Sequence, residues 1–412
     1  MRALLASLQI PVLALASVVR TDQQTLQADG FVVCNHTMTV PSLYIIGAEN
    51  SGTSTLAAWI SRRLLHQDQP IFRDACELKE LAAMFHLNGV VSAECHLYDD
   101  QCGWDGKMIH GMGTYGGTFA TQAPTVGHCP SMDASSIASE RAALQDPSKF
   151  GLLPCSYLSD GAHKLYFDKS PTYFRLIGLP TYLSSLYGSR AAARLSFIAL
   201  LRNPISRMHS AWQQAAADSK GSFSTVPALS TAQGYSEMLL ATLPANYNMM
   251  FVRGEDSPIV RNYTYDFFYR SLYGALLKPW VEKFASQMLV LPMNYTFTEG
   301  SQEQVLTQVL SLVERNSGVS NLEISSRSAS IPPHNVHNAA SNPKYVGYDH
   351  PLDQDINSAT RQALRSRFFD ADAELLGVLL SNAISHGLMV AGDANGMCAT
   401  AQGCSEYIIS AW

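Results

Sequence analysis

The chain has 412 residues, 47% of them hydrophobic, with 28 Lys+Arg against 34 Asp+Glu and a formal net charge of -6. That length supports a full hydrophobic core, in one large α/β domain or two smaller ones. The acidic balance and the lack of any Lys/Arg run argue against a nucleic-acid partner, and weakly against a strongly polyanionic substrate.

Residues 1–20 read MRALLASLQIPVLALASVVR. Arg2 precedes an apolar run that Arg20 closes, a pattern that suits a signal peptide or a short signal anchor. Residues 21–40 read as a short polar stem. Sequons stand at Asn35, Asn262 and Asn294. The eight cysteines are even in number and none falls in a C-x-x-C motif, so neither a zinc ribbon nor a redox motif is indicated. Leader, sequons and cysteines together favour the secretory pathway and some disulfides. Cys95 with Cys102, and Cys398 with Cys404, are the nearest neighbours, and either pair could close a small loop.

Residues 42–65 (SLYIIGAENSGTSTLAAWISRRLL) change period midway. The apolar run before Gly47 is a strand signal. From Thr53 the pattern turns helical, with Leu56, Ile60 and Leu64 on one face and Arg62 and Arg63 near the C-terminal end, where the helix dipole favours cations. A strand turning sharply into a helix presents free backbone N–H groups, a ready site for a phosphate. A tight turn with no ligand is the plainer alternative. Gly47 and Gly52 have the spacing of G-x-x-x-x-G-K-[ST], but Thr53 holds the lysine position, which argues against an ordinary ATPase or GTPase.

Residues 76–86 (CELKELAAMFH) read as helix-like and include Glu77, Lys79 and Glu80. Residues 87–163 read as a loop-rich insertion; loops of that length are usually functional or mobile. Residues 164–167 (KLYF) are a short strand followed by Asp168, Lys169 and Ser170, polar groups where open α/β sheets bind ligands. Residues 193–201 (ARLSFIALL) are the clearest central strand. Arg202 stands at its carboxyl end, Asn203 suits an N-cap and Pro204 the first helical position. Ser206 and Ser210 share a face of the ensuing helix. Further elements are a helix over 271–284, a strand over 288–292 and an amphipathic helix over 361–380, with 391–412 as a C-terminal tail. Strands alternating with helices predict one large α/β domain over 41–390, a central parallel sheet with helices on both faces.

Six segments resemble the sulfotransferase superfamily, in its Golgi carbohydrate O-sulfotransferase branch, the relatives of heparan sulfate sulfotransferases. IIGAENSGTSTL looks like that family's 5′-phosphosulfate loop, and FIALLRNPISRMHSAW is similar to its 3′-phosphate motif. LKELAAMF, YFDKSPTYF, SLYGALLKPWVEKFASQMLVL and LRSRFFDADAELLGVLL resemble further family segments, in family order. The resemblance implies a P-loop-like fold and PAPS (3′-phosphoadenosine 5′-phosphosulfate) as sulfuryl donor, with PAP as product. It implies a hydroxyl acceptor on a glycan, no metal, and a Golgi-luminal protein held in the membrane by an N-terminal type II anchor, with secretion as the alternative.

By the same resemblance Arg202 and Ser210 bind the 3′-phosphate, and Ser51, Gly52, Thr53 and Ser54 cradle the 5′-phosphosulfate. Glu80 is the candidate base, with Glu77 as the competing carboxylate. Lys169 contacts the donor sulfate or the acceptor, and Asp168, where the family usually has Glu, orients Lys169 or the acceptor. The main departure is Asn50, which replaces the family's usual lysine and brings no charge to a site where negative charge develops. Either Lys79 or Lys169 supplies the cation, or the protein binds nucleotide and turns over slowly or not at all. A second departure is the absence of the family's Lys-Gly-Arg-type C-terminal loop, for which Lys344 and Arg327 are the substitutes at hand.

Overall fold

The computed structural model describes residues 32–33, 36–37, 43–66, 69–70, 72–74, 165–218, 231–243, 267–317, 322–325, 356–393 and 396–410. Glu77, Lys79, Glu80, Arg327, Lys344, the 87–163 insertion and the N-terminal apolar run lie outside these residues. So do six of the eight cysteines.

The elements begin with a two-stranded antiparallel pair, β1 (Val32–Val33) and β2 (His36–Thr37). Then come β3 (Leu43–Gly47), α1 (Thr53–Arg63), β4 (Leu64–His66), β5 (Gln69–Pro70), β6 (Phe72–Asp74) and β7 (Leu165–Lys169). The central part holds α2 (Leu179–Ala192), β8 (Ser196–Leu201), α3 (Pro204–Asp218), α4 (Ala232–Thr242), α5 (Tyr273–Phe284) and β9 (Met288–Pro292). The C-terminal part holds α6 (Met293–Phe297), α7 (Gln302–Ser317), β10 (Glu323–Ile324), α8 (Ser358–Leu364), α9 (Asp370–Ile384), β11 (Met389–Val390) and α10 (Ala401–Ser410).

Six strands form one sheet in the order β11-β9-β8-β3-β7-β6, every pair parallel. A second, antiparallel sheet has the order β10-β4-β5. In a parallel sheet covered on both faces the strands read as continuous apolar runs, and β3, β8 and β9 are buried along their whole lengths. Their alternate residues feed two cores. Leu43, Ile45, Ile198, Leu200, Leu289 and Leu291 pack with α1 and α7. Tyr44, Ile46, Phe197 and Ala199 pack on the other face with α2, α3, α5, α9 and α10. Phe197 anchors that second core: its ring lies 4.6 Å from Phe284, 5.3 Å from Trp280 and 5.4 Å from Tyr44. Each such pair adds about 0.5–1.5 kcal/mol beyond area burial.

The predicted fold class stands: a central parallel sheet flanked by helices. Three local readings change, and the one for Arg63 is extended. The strand read as 164–167 runs on through Asp168 and Lys169, so both belong to the sheet. The helix read as 361–380 is three consecutive segments, α8, a π-helical turn over Arg365–Phe369 and α9. Arg63 is buried, with its guanidinium bonded to the Ser325 carbonyl at 2.9 Å and to Glu303. The segment read as a tail includes α10. Here the Cys398–Cys404 disulfide forms, and both cysteines and Ile408 lie in the core.

Candidate functional site

The sheet's order sets the site. β3 lies between β7 and β8: after β3 the chain forms β6 and β7 on one side of it, then crosses to β8, β9 and β11 on the other. In open α/β sheets such a switch point opens a crevice beyond the carboxyl ends of the strands, and ligands bind there. Those three ends carry Lys169 on β7, the 47–54 loop after β3, and Arg202 after β8.

The loop's course depends on its two glycines. Gly47 has φ +155, and a Cβ there would stand 2.5 Å from the Phe174 Cβ. Gly52 is the N-cap of α1 with φ +88, and a Cβ there would stand 2.9 Å from the Phe297 ring. Neither position has room for a side chain, and both backbones favour glycine. Among the described residues no side chain caps α1 at Gly52, and its first turn holds no acidic residue. The helix therefore presents N–H groups and the positive end of its dipole toward the crevice.

Lys169 pairs in register with Ile45, which packs on the α1 side of the sheet. Lys169 is 2% exposed, and Nζ donates to Ser54 Oγ at 3.0 Å. Ser54 is the second residue of α1. A buried ammonium thus faces the positive end of a helix, where an anion is the favoured guest. Of the two cations considered for the charge that Asn50 lacks, Lys169 is brought to the loop; Lys79 lies outside the described residues.

Asn50 adopts φ 60, the left-handed region that Asn tolerates best among non-glycine residues. Arg202 Nη1 donates to its backbone oxygen at 3.0 Å, so the arginine for which the family resemblance implies a phosphate role holds the loop. The N-cap reading of Asn203 is borne out, since Asn203 Oδ1 accepts from the Ser206 N–H at 3.0 Å. Ser210 lies further along α3 and is buried, as are Ser51 and Thr53 on the loop. Asp168 points to the face opposite Lys169, as strand alternation requires. Its carboxylate accepts from Ser170 Oγ at 2.6 Å and from the Tyr173 hydroxyl at 2.8 Å.

Residues 267–273 supply contacts that the sequence did not reveal. Arg270 forms an ion pair with Glu49. The Tyr273 hydroxyl lies against Ser51 and the Arg202 backbone, and burial pushes its pKa up to about 12, so it stays a neutral phenol. Arg207, fully buried on α3, donates to Ser271 Oγ at 2.7 Å and to the Phe267 carbonyl. Behind this segment Asp372 accepts from the N–H groups of Gly274 (2.9 Å) and Ala275 (3.1 Å), capping α5 from a different helix. No local motif announces any of these pairings.

Fold and site together define an α/β protein with an uncapped strand-to-helix loop at its switch point, faced by Lys169 and Arg202. No family model and no curated protein matches the chain. Among solved structures it is similar to a sulfotransferase from Alicyclobacillus acidocaldarius, at 16% identity and a TM-score of 0.40, over 83% of this chain and 96% of that one.

Proposed function

We propose that the protein transfers a sulfuryl group from PAPS to a hydroxyl of a glycan. The observation that carries this reading is the buried Lys169 ammonium aimed at the N-terminal turn of α1, 3.0 Å from Ser54 Oγ. It provides, from a neighbouring strand, the cation that a phosphosulfate loop with Asn50 lacks. The residues present suit such a donor. Loop N–H groups and the hydroxyls of Ser51, Thr53 and Ser54 cradle the 5′-phosphosulfate, and Lys169 balances charge building on the leaving phosphate. Arg202, with Ser210, takes the 3′-phosphate as a forked donor. Glu80 is the proposed base that accepts the acceptor hydroxyl's proton. Asp168, with both oxygens engaged by Ser170 and Tyr173, acts by fixing the β7 terminus that carries Lys169.

Residence in the Golgi lumen, with the N-terminal run as a type II anchor, belongs to the same proposal and fits the sequons and the Cys398–Cys404 disulfide. Asn50 favours a second reading, a protein that binds nucleotide or glycan without turnover. One experiment separates them: purified protein is titrated with PAP by calorimetry, then incubated with labelled PAPS and a panel of glycans. PAP binding with label transfer supports the enzyme. PAP binding with no transfer to any glycan supports the second reading. Stabilisation by ATP–Mg in preference to PAP would overturn both and point to a kinase.

A further inference from the structure

Glu49 is an acid inside a loop read as an anion site. Left ionised and unopposed, it would repel any phosphate or sulfate at the α1 N-terminus, a few residues away. The fold sets a cation against it: Arg270, from a segment 221 residues distant, pairs with its carboxylate. Side-chain exposures of 10% for Arg270 and 17% for Glu49 keep water from screening the pair. The same segment meets the loop again at Ser51 through Tyr273, and Arg202 holds the carbonyl of Asn50 between them. Two successive loop residues, Glu49 and Asn50, are thus each held by a different side chain, and Tyr273 lies beside the third.

We propose that Arg270 is a neutralising and positioning residue of this loop. It cancels the Glu49 charge and fixes the carboxylate away from the guest anion, rather than ligating that anion itself. The inference rests on the anion-site reading of the loop and extends it to a residue that no motif marks.

The test is a double-mutant cycle read by binding, with PAP and inorganic pyrophosphate as probes. Arg270→Met removes this ion pair and its positive charge, and affinity for both probes is expected to fall about tenfold or more. Adding Glu49→Gln to Arg270→Met is expected to restore affinity to within about threefold of the wild type. Glu49→Gln alone is expected to bind at least as tightly as the wild type. A double variant as weak as Arg270→Met would overturn the proposal and make Arg270 a direct ligand. Unchanged affinity in Arg270→Met with a lowered melting temperature would overturn it in favour of a purely structural role. If Arg270→Met does not fold, Glu49→Gln and Arg270→Lys decide: weaker binding by Glu49→Gln, or loss of binding by the charge-preserving Arg270→Lys, would overturn it. A wild type that binds pyrophosphate but not PAP removes the donor reading and leaves this inference to the same cycle. Binding of neither probe removes both.

Discussion

The Lys169 ammonium and the Ser54 hydroxyl meet 3.0 Å apart across the β3–β7 edge, one from a strand end and the other from the first turn of a helix. Their meeting follows from register. Ile45 and Lys169 are paired positions on one face of parallel strands, and α1 packs on that face. A lysine at this strand end therefore reaches the loop that leads into α1. A buried lysine thus reaches the loop from a sequence position more than a hundred residues away.

Lys169→Met should lower kcat by about 100-fold or more, the scale seen when one preorganised donor to a developing oxyanion is removed. PAP affinity should change less than kcat if the charge matters most in the transition state. Single-turnover kinetics with PAPS, beside PAP calorimetry, separates the two quantities. Equal losses in both would show that Lys169 contributes only to ground-state binding.

Asn50→Lys tests whether the loop still needs its own cation. With Lys169 already in place, the gain in turnover is expected to stay below about threefold. The left-handed backbone at position 50 also costs a lysine on the order of 1 kcal/mol relative to residues that tolerate it. In the Lys169→Met background the same substitution should recover a measurable part of the lost rate. A rise of about tenfold in the otherwise wild-type protein would mean that Lys169 does not fill the role.

Arg202→Lys should weaken PAP binding by about tenfold or more, because a point charge cannot both hold the Asn50 carbonyl and fork onto a phosphate. Ser210→Ala should cost less, near the worth of one hydrogen bond. Adenosine 5′-phosphosulfate, which lacks the 3′-phosphate, provides the control. Its binding should be less sensitive to Ser210→Ala than that of PAP, and equal sensitivity would remove Ser210 from the 3′-phosphate site.

The parts of this site legible in the sequence are those with a local cause. The apolar runs of β3, β8 and β9, the period change at Thr53 and the Asn203–Pro204 helix start each declare themselves within a few residues. The facing of Lys169 to Ser54, the Glu49–Arg270 pair and the capping of α5 by Asp372 depend on strand order and helix crossing, which leave no local signature. The partners of Arg63 are hidden for the same reason: its place in the last turn of α1 is legible, but Glu303 and the Ser325 carbonyl reach it from distant parts of the chain. Glu80 rests on resemblance alone, because it lies outside the described residues.

Asp372 gives the fold a defined response to pH. Burial pushes its carboxyl from 3.8 up to about 7, against the opposing pull of the Tyr273, Gly274 and Ala275 N–H groups. Below 3.8 the side chain is protonated in both folded and unfolded chains. Between 3.8 and about 7 the folded protein keeps a proton that the unfolded chain releases, so stability from this group falls as pH rises through that window. Above about 7 both forms are ionised and the contribution is flat. Asp372→Asn removes the titration while keeping an acceptor for the α5 N-terminus. Denaturant unfolding of both proteins between pH 5 and 8 should show the wild type losing stability relative to the variant as pH rises, by an amount on the order of a few kcal/mol. Parallel curves would mean that Asp372 stays ionised throughout this range, and that the N–H groups it caps outweigh its burial.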